Sequence, residues 1–169
     1  ITNIKLLNKN IEKLELKNVS YDVVLLLFNV AGYLNNFSNF LINIKRFMRK
    51  GALLIFDFWH DSAVQFKGPS SSIRSFYKDG LKFNKFSNGK VDYKNNTIKI
   101  EIITNKEKNG SVISKSKESH LLKYYNLNSL SNLMKLQGFE DIIFEDFNKE
   151  GQKPSNKNWN VYCVSKFRG

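Results

Sequence analysis

Two stretches of the chain are apolar but for a single Asp22. Tyr21-Asp22-Val23-Val24-Leu25-Leu26-Leu27-Phe28 and Ala52-Leu53-Leu54-Ile55-Phe56 are continuous β-rich runs, the pattern of strands buried on both faces. Between them the apolar positions are Phe37, Phe40, Leu41, Ile44, Phe47 and Met48. Steps of three and one put these side chains on one face of an amphipathic helix. Asn35 or Asn36 is placed to cap its start, and Gly51 sits where a left-handed residue would end it. Strand, helix, glycine turn and strand make a βαβ unit, whose parallel pairing predicts a right-handed crossover and an α/β class.

The middle of the chain alternates instead. Leu81 and Phe83, then Ile98, Ile100 and Ile102 separated by Lys99 and Glu101, lie between the pairs Asp79-Gly80, Asn88-Gly89, Asn95-Asn96 and Asn109-Gly110. Turn pairs between alternating runs predict hairpins, so an antiparallel meander follows the parallel unit, with Ser111 to Tyr125 as its last strand. Leu127, Leu130, Leu133, Met134 and Leu136 predict a short helix stopped by Gly138. The strands Ile142–Phe147 and Trp159–Ser165 close the chain, with Cys163 in the core. The expected organisation is one domain over 1–169 with an inserted β region at 66–125.

Composition narrows the classes. Formal charge is +12 over 169 residues, but of 27 basic residues only Arg46, Arg49, Arg74 and Arg168 are arginine, beside 22 asparagines. Direct base readout and bidentate phosphate clamps favour arginine. The scattered lysines therefore read as a solvated surface, and a nucleic-acid partner is not expected. No apolar run approaches the roughly 20 residues that a membrane helix requires. One cysteine builds neither a disulfide framework nor a cysteine-based zinc site, and no metal is expected. With no signal peptide recognisable, the predicted compartment is cytoplasmic.

Ligands of open α/β sheets sit beyond the carboxyl ends of the parallel strands. That rule selects 8–12, 29–33 and 57–61. The last holds Asp57, Trp59, His60 and Asp61: two carboxylates, an indole and an imidazole at one expected strand end. His60 and His120 are the only imidazoles in the chain, hence the only side chains whose ordinary titration lies near neutrality.

The segments Tyr21-Asp22-Val23-Val24, Phe28-Asn29-Val30-Ala31-Gly32-Tyr33-Leu34, Gly51-Ala52-Leu53-Leu54-Ile55-Phe56-Asp57-Phe58-Trp59 and Gly138-Phe139 together resemble a class I S-adenosylmethionine-dependent methyltransferase. Glu118-Ser119-His120 entering Leu121 to Tyr125, and Pro154-Ser155 before Trp159-Asn160-Val161, resemble the branch that contains nucleotide-sugar N-methyltransferases. The resemblance implies a Rossmann-like fold, S-adenosylmethionine as cofactor, and a small-molecule methyl acceptor bearing an amine or hydroxyl, such as a nucleotide-linked sugar. It also implies an incomplete fold. The family's glycine-rich loop after its first strand has no counterpart here, because the first glycine is Gly32. An acid ending the second strand is absent too. Ile4 to Lys9 then corresponds to the third strand, the first two being missing, and the Val23 to Phe28 strand is left with an open, association-prone edge. A fragment of this kind is expected to be inactive alone.

By the same resemblance Asn10 and Ile11 match an Asp-hydrophobic pair that meets adenine, with asparagine keeping an acceptor but losing the charge. Phe28, Asn29 and Val30 would border the methyl-bearing sulfur. Tyr33 stands where related aminosugar enzymes can carry histidine as a base, and a phenol is a poorer base at neutral pH. Tyr33, His60 and His120 are thus the catalytic candidates, Asn10, Ile11, Phe28, Asn29 and Val30 the cofactor-binding ones, and Asp57 and Trp59 the substrate-binding ones. The inserted region could serve as a lid or as a homodimer surface. The competing readings are a non-catalytic binding domain of the same fold and, less favoured, a basic nucleic-acid-binding domain that uses the antiparallel strands as a platform.

Overall fold

The structure is a computed structural model and describes residues 4–16 and 19–169. One sheet of eight strands runs through it. Strand β1 (Tyr21–Leu26) pairs in parallel with β2 (Met48–His60); β2 pairs antiparallel with β8 (Asn160–Phe167), and β8 with β7 (Phe139–Asp146). The other four strands form the meander: β3 (Ser72–Lys78), β4 (Leu81–Asp92), β5 (Thr97–Lys108) and β6 (Ser111–Tyr125). The meander joins the first four strands where Trp59 and His60 of β2 pair with Tyr124 and Tyr125 of β6. One edge of β2 is therefore shared, with β1 along its first part and β6 at its end.

Among the described residues, the two longest helices pack on one face of the β1-β2-β8-β7 half. Leu54, Phe56 and Phe58 of β2 and Val161 and Cys163 of β8 pack with Phe37, Phe40 and Leu41 of α2 (Phe37–Ile44) and with Leu130 and Met134 of α4 (Leu127–Leu136). Asn36 and Asn126 cap these helices through their side-chain oxygens. On the opposite face Leu25, Ile55, Val164 and Ile143 lie side by side across all four strands. Leu25 and Ile143 there are exposed and Ile55 and Val164 half-buried. The predicted βαβ unit, meander and closing strands are all present.

Four expectations need correction. Residues 4–10 form no strand, and Ile4, Leu6 and Leu7 are exposed, because a strand needs a neighbour and none of the described residues pairs with this segment. The helix after Asn36 ends at Ile44 and tightens into a 3₁₀ turn over Lys45–Phe47. Gly51 is not its cap: it lies inside β2 with φ +82°, beside the register shift between Tyr21 and Val23. That strand runs on through His60, so Asp57, Trp59 and His60 are strand residues rather than the loop beyond, and α3 (Asp61–Phe66) begins directly after them. Asn88-Gly89 is no turn but the middle of β4, where Gly89 faces Ile100. A Cβ on Gly89 would stand 2.6 Å from Pro69 Cβ; only glycine lets the 67–70 segment lie against the sheet.

The charge is not scattered either. Residues 66–125 hold 13 basic and 5 acidic residues, or +8 of the total +12.

Candidate active site

The end of β1 is shaped by an unusual turn. Phe28 and Asn29 both take positive φ, 65° and 58°, a conformation that costs a non-glycine residue roughly 1–2 kcal/mol. The compensation comes from Asp57. Its Oδ2 accepts the Asn29 N–H at 2.7 Å, with the Phe28 N–H also directed at the carboxylate. Burial raises the Asp57 carboxyl above the ordinary carboxylate value, against the lowering pull of the Asn29, Phe28 and Asp57 backbone N–H groups. The turn throws the Phe28 ring outward, 87% exposed, and starts the helical turn α1 (Val30–Tyr33). Gly32 backs the Asn29 side chain so closely that a Cβ there would lie 2.9 Å from Asn29 Oδ1.

Strand β6 fixes α1 from the other side. Tyr125 donates its hydroxyl to Ala31 O at 2.8 Å, and Lys123 donates to Asn35 O. Tyr33 Oη lies 2.8 Å from His120 Nδ1, the rings meeting edge-on at 76°. His120 Nε2 in turn lies 3.5 Å from Glu118 Oε2. A carboxylate beside Nε2 favours the proton on that nitrogen, which leaves Nδ1 to accept from the Tyr33 hydroxyl. Two of the three catalytic candidates, 87 positions apart in the chain, are thus in direct contact, on a half-exposed ridge at the mouth of β1.

The third is elsewhere. His60 is 4% exposed; burial lowers its pKa below the ordinary histidine value, offset in part by the backbone of Ser155 and Asn158 and the charge of Asp61. Its Nδ1 has no hydrogen-bond partner among the described residues. That environment makes it a neutral core imidazole. Trp59 also sits apart, edge-on to Trp159 at 5.6 Å. With Lys67, Pro69, Ile100 and Lys157 the two indoles line an open cleft of about 480 Å³.

The cofactor-binding candidates divide. Asn10 Oδ1 already accepts the Glu12 N–H at 2.9 Å as the cap of a 3₁₀ turn, and Ile11 packs partly buried against the core. At the β1 end, both polar atoms of the Asn29 amide and Oδ1 of Asp57 are buried without a partner among the described residues, with the two residues 8% and 5% exposed. Buried polar atoms are normally paired. Two acceptor oxygens without a donor, one on a carboxylate, suit a cationic group such as the methionine end of a sulfonium cofactor, so the residues here fit S-adenosylmethionine. Sequence reading missed two members of the site. Glu118 was detectable, since two residues before His120 on an alternating strand is the same face. Glu12, which accepts from Asn35 Nδ2 at 2.8 Å and Asn36 N at 3.1 Å, lies inside the selected segment 8–12 but was not among the named candidates.

Compared with solved structures, the whole chain superposes on the sugar N-methyltransferase KedS8 from Streptoalloteichus sp. with a TM-score of 0.78 and 13% identity, over 64% of that chain. The fold is that of a class I S-adenosylmethionine-dependent methyltransferase. An S-adenosylmethionine-dependent methyltransferase from Clostridium acetobutylicum gives 0.74 at 12% identity, covering 95% of this chain and 63% of that one. CalS10, an amino pentose methyltransferase from Micromonospora echinaspora solved with the cofactor bound, gives 0.74 at 13% with the same coverage. The chain thus spans less than two thirds of these methyltransferases. No family model matches the sequence, and no curated protein matches it by sequence.

Proposed function

We propose that this methyltransferase fold carries out S-adenosylmethionine-dependent methylation of an amine or hydroxyl on a small molecule, with a nucleotide-linked sugar as the preferred acceptor class. The observation that carries the reading is the Tyr33–His120–Glu118 chain, placed beside the unpaired polar atoms of Asn29 and Asp57. When bound, the cofactor supplies an electrophilic methyl group on a sulfonium. Asn29 and Asp57 would hold its cationic end, with Phe28 and Val30 as the apolar border and Asn10 and Ile11 toward its adenine.

The remaining chemistry is positioning and one proton. Tyr33 holds the acceptor's N–H or O–H and takes its proton as the methyl bond forms, while its own hydroxyl proton passes to His120 Nδ1. Glu118 then faces an imidazolium and stabilises it. This wiring answers the objection that a lone phenol is a poor base: the imidazole behind it is the group that ends protonated. Trp59 belongs to a neighbouring cleft suited to the remoter part of an acceptor.

The test uses the natural protein that contains this chain, labelled S-adenosylmethionine, and a panel of amino and hydroxy sugars with and without a nucleotide. Transfer should fall about 10²- to 10⁴-fold in Tyr33→Phe and His120→Ala, with affinity for S-adenosylhomocysteine preserved. An unchanged rate in both variants would remove the proton relay. Failure to bind S-adenosylhomocysteine at all would favour a non-catalytic domain of this fold.

A further inference from the structure

Both tryptophans of the chain meet in one cleft. Trp59 lies near the end of β2 beside Tyr124 of β6, and Trp159 stands just before β8. Their rings meet edge-on, with 5.6 Å between centroids and 75° between planes. An indole face beside an indole edge makes a corner in which one flat ring can lie, stacked on the first and touched by the positive rim of the second. The third wall is the 67–70 segment that leaves α3. Trp159 Nε1 donates to Lys67 O at 3.2 Å, and Pro69 is seated on Gly89, where a Cβ would collide with it. This strap is thus held at both ends. The space of about 480 Å³ that it bounds lies within the ordinary range of small-molecule pockets.

The lining carries charge of one sign. Lys67 and Lys157 belong to it and no carboxylate does, and neither lysine is in an ion pair among the described residues. An open ring corner and two spare ammonium groups select a ligand that is aromatic at one end and multiply anionic next to it. A free sugar would leave the cations unanswered, and an inorganic anion or an acidic peptide would leave the indole corner empty. A nucleoside diphosphate uses both.

The cleft also has a direction. Ile100 lines it and is the direct cross-strand partner of His120, so the two side chains share a face with their Cβ atoms about 5 Å apart. A group carried beyond the diphosphate and across Ile100 arrives at the Tyr33–His120 pair.

We infer that the Trp59–Trp159 cleft is a nucleoside diphosphate subsite, with the base in the indole corner and the diphosphate on Lys67 and Lys157. The inference rests on the methyl-transfer reading only for what is attached to the diphosphate.

Because both tryptophans of the chain line the cleft, their fluorescence reports on it. Uridine diphosphate titrated into the chain should quench saturably, with uridine and pyrophosphate each binding at least about tenfold more weakly. Lys67→Ala with Lys157→Ala should weaken uridine diphosphate about tenfold and leave uridine unaffected. Lys90→Ala with Lys115→Ala, which removes the same charge from the meander, should change neither. Trp59→Ala should weaken uridine diphosphate about tenfold, while Trp59→Phe, which keeps a ring, retains most of the affinity. Thermal melts of each variant confirm that it is folded. Absence of saturable quenching, or uridine or pyrophosphate competing as strongly as uridine diphosphate, would overturn the subsite. In the natural protein that contains this chain, the Lys67 and Lys157 double variant should raise the KM for a nucleotide-linked amino sugar about tenfold, with kcat and S-adenosylhomocysteine affinity unchanged. Transfer at an unchanged KM would overturn the subsite and leave the methyl-transfer reading standing. Saturable uridine diphosphate binding without any methyl transfer would uphold the subsite and remove that reading.

Discussion

The α/β half and the meander share one sheet, yet they are held by different forces. Around β2 and β8 the strands are clamped by α2 and α4, and nearly all the fully buried large side chains are there, including Phe40, Phe56, Phe58 and Leu54. In the meander the buried cluster is Val64, Ile98 and Tyr124; beyond it both faces are open and the strands rest on backbone ladders, turns and surface ion pairs. A sheet wetted on both sides gains little from apolar burial, so its persistence depends on ladder hydrogen bonds, each worth roughly 1 kcal/mol net. The lesson is that this sheet has one stable end and one inexpensive end, and the Tyr33–His120 contact bridges them.

Substitutions can break that comparison directly. Phe56→Ala should cost about 3–5 kcal/mol in urea unfolding, whereas Phe86→Ala, on the open meander, should cost under about 1 kcal/mol; similar values would mean that the meander has a core of its own. Gly89→Ala should cost about 1–3 kcal/mol by pushing Pro69 off β4, and the companion Pro69→Gly, which removes the Cβ it meets, should recover part of that loss. His60 sharpens the contrast through pH. Its folded pKa lies below the ordinary value of 6.5, so below that value the unfolded chain gains a proton that the folded chain refuses. Stability should therefore be full above pH 6.5 and decline as pH falls beneath it, by up to about 1.4 kcal/mol per pH unit. His60→Phe should flatten that slope in urea midpoints, and an unchanged slope would place its origin elsewhere. Smallest of all, Glu101→Gln should shift stability by no more than about 0.5 kcal/mol, because the two pairs it breaks, with Lys99 and Lys117, are solvent-exposed.

The elements were legible in the sequence where hydrophobic period and turn chemistry agreed. The helix at Phe37, the Asp79-Gly80 and Asn109-Gly110 turns and the closing strands followed from local pattern alone. Local pattern misled where tertiary contact decided. Asn88-Gly89 carries a turn signature but serves a close approach by Pro69, and Asp57 carries the polar mark of a strand end while the strand runs on to His60 because β8 and β6 continue the ladder. Tyr33 and His120 could be named as candidates but not as partners, since nothing in the chain records the distance between residues so far apart.

The junction of the two halves has a mechanical meaning. In the ladder, the meander is rooted on two residue pairs, Trp59 with Tyr124 and His60 with Tyr125, whereas the twelve residues of β5 extend outward by about 40 Å. It is a cantilever. A rotation of about 5° at the root would carry the Asp79-Gly80 and Asn109-Gly110 tips through about 3–4 Å over that length, and would displace His120, about 16 Å from the root, by about 1.4 Å. Motion at the tips would therefore reach the Tyr33–His120 contact at under half its amplitude, damped by the shorter arm.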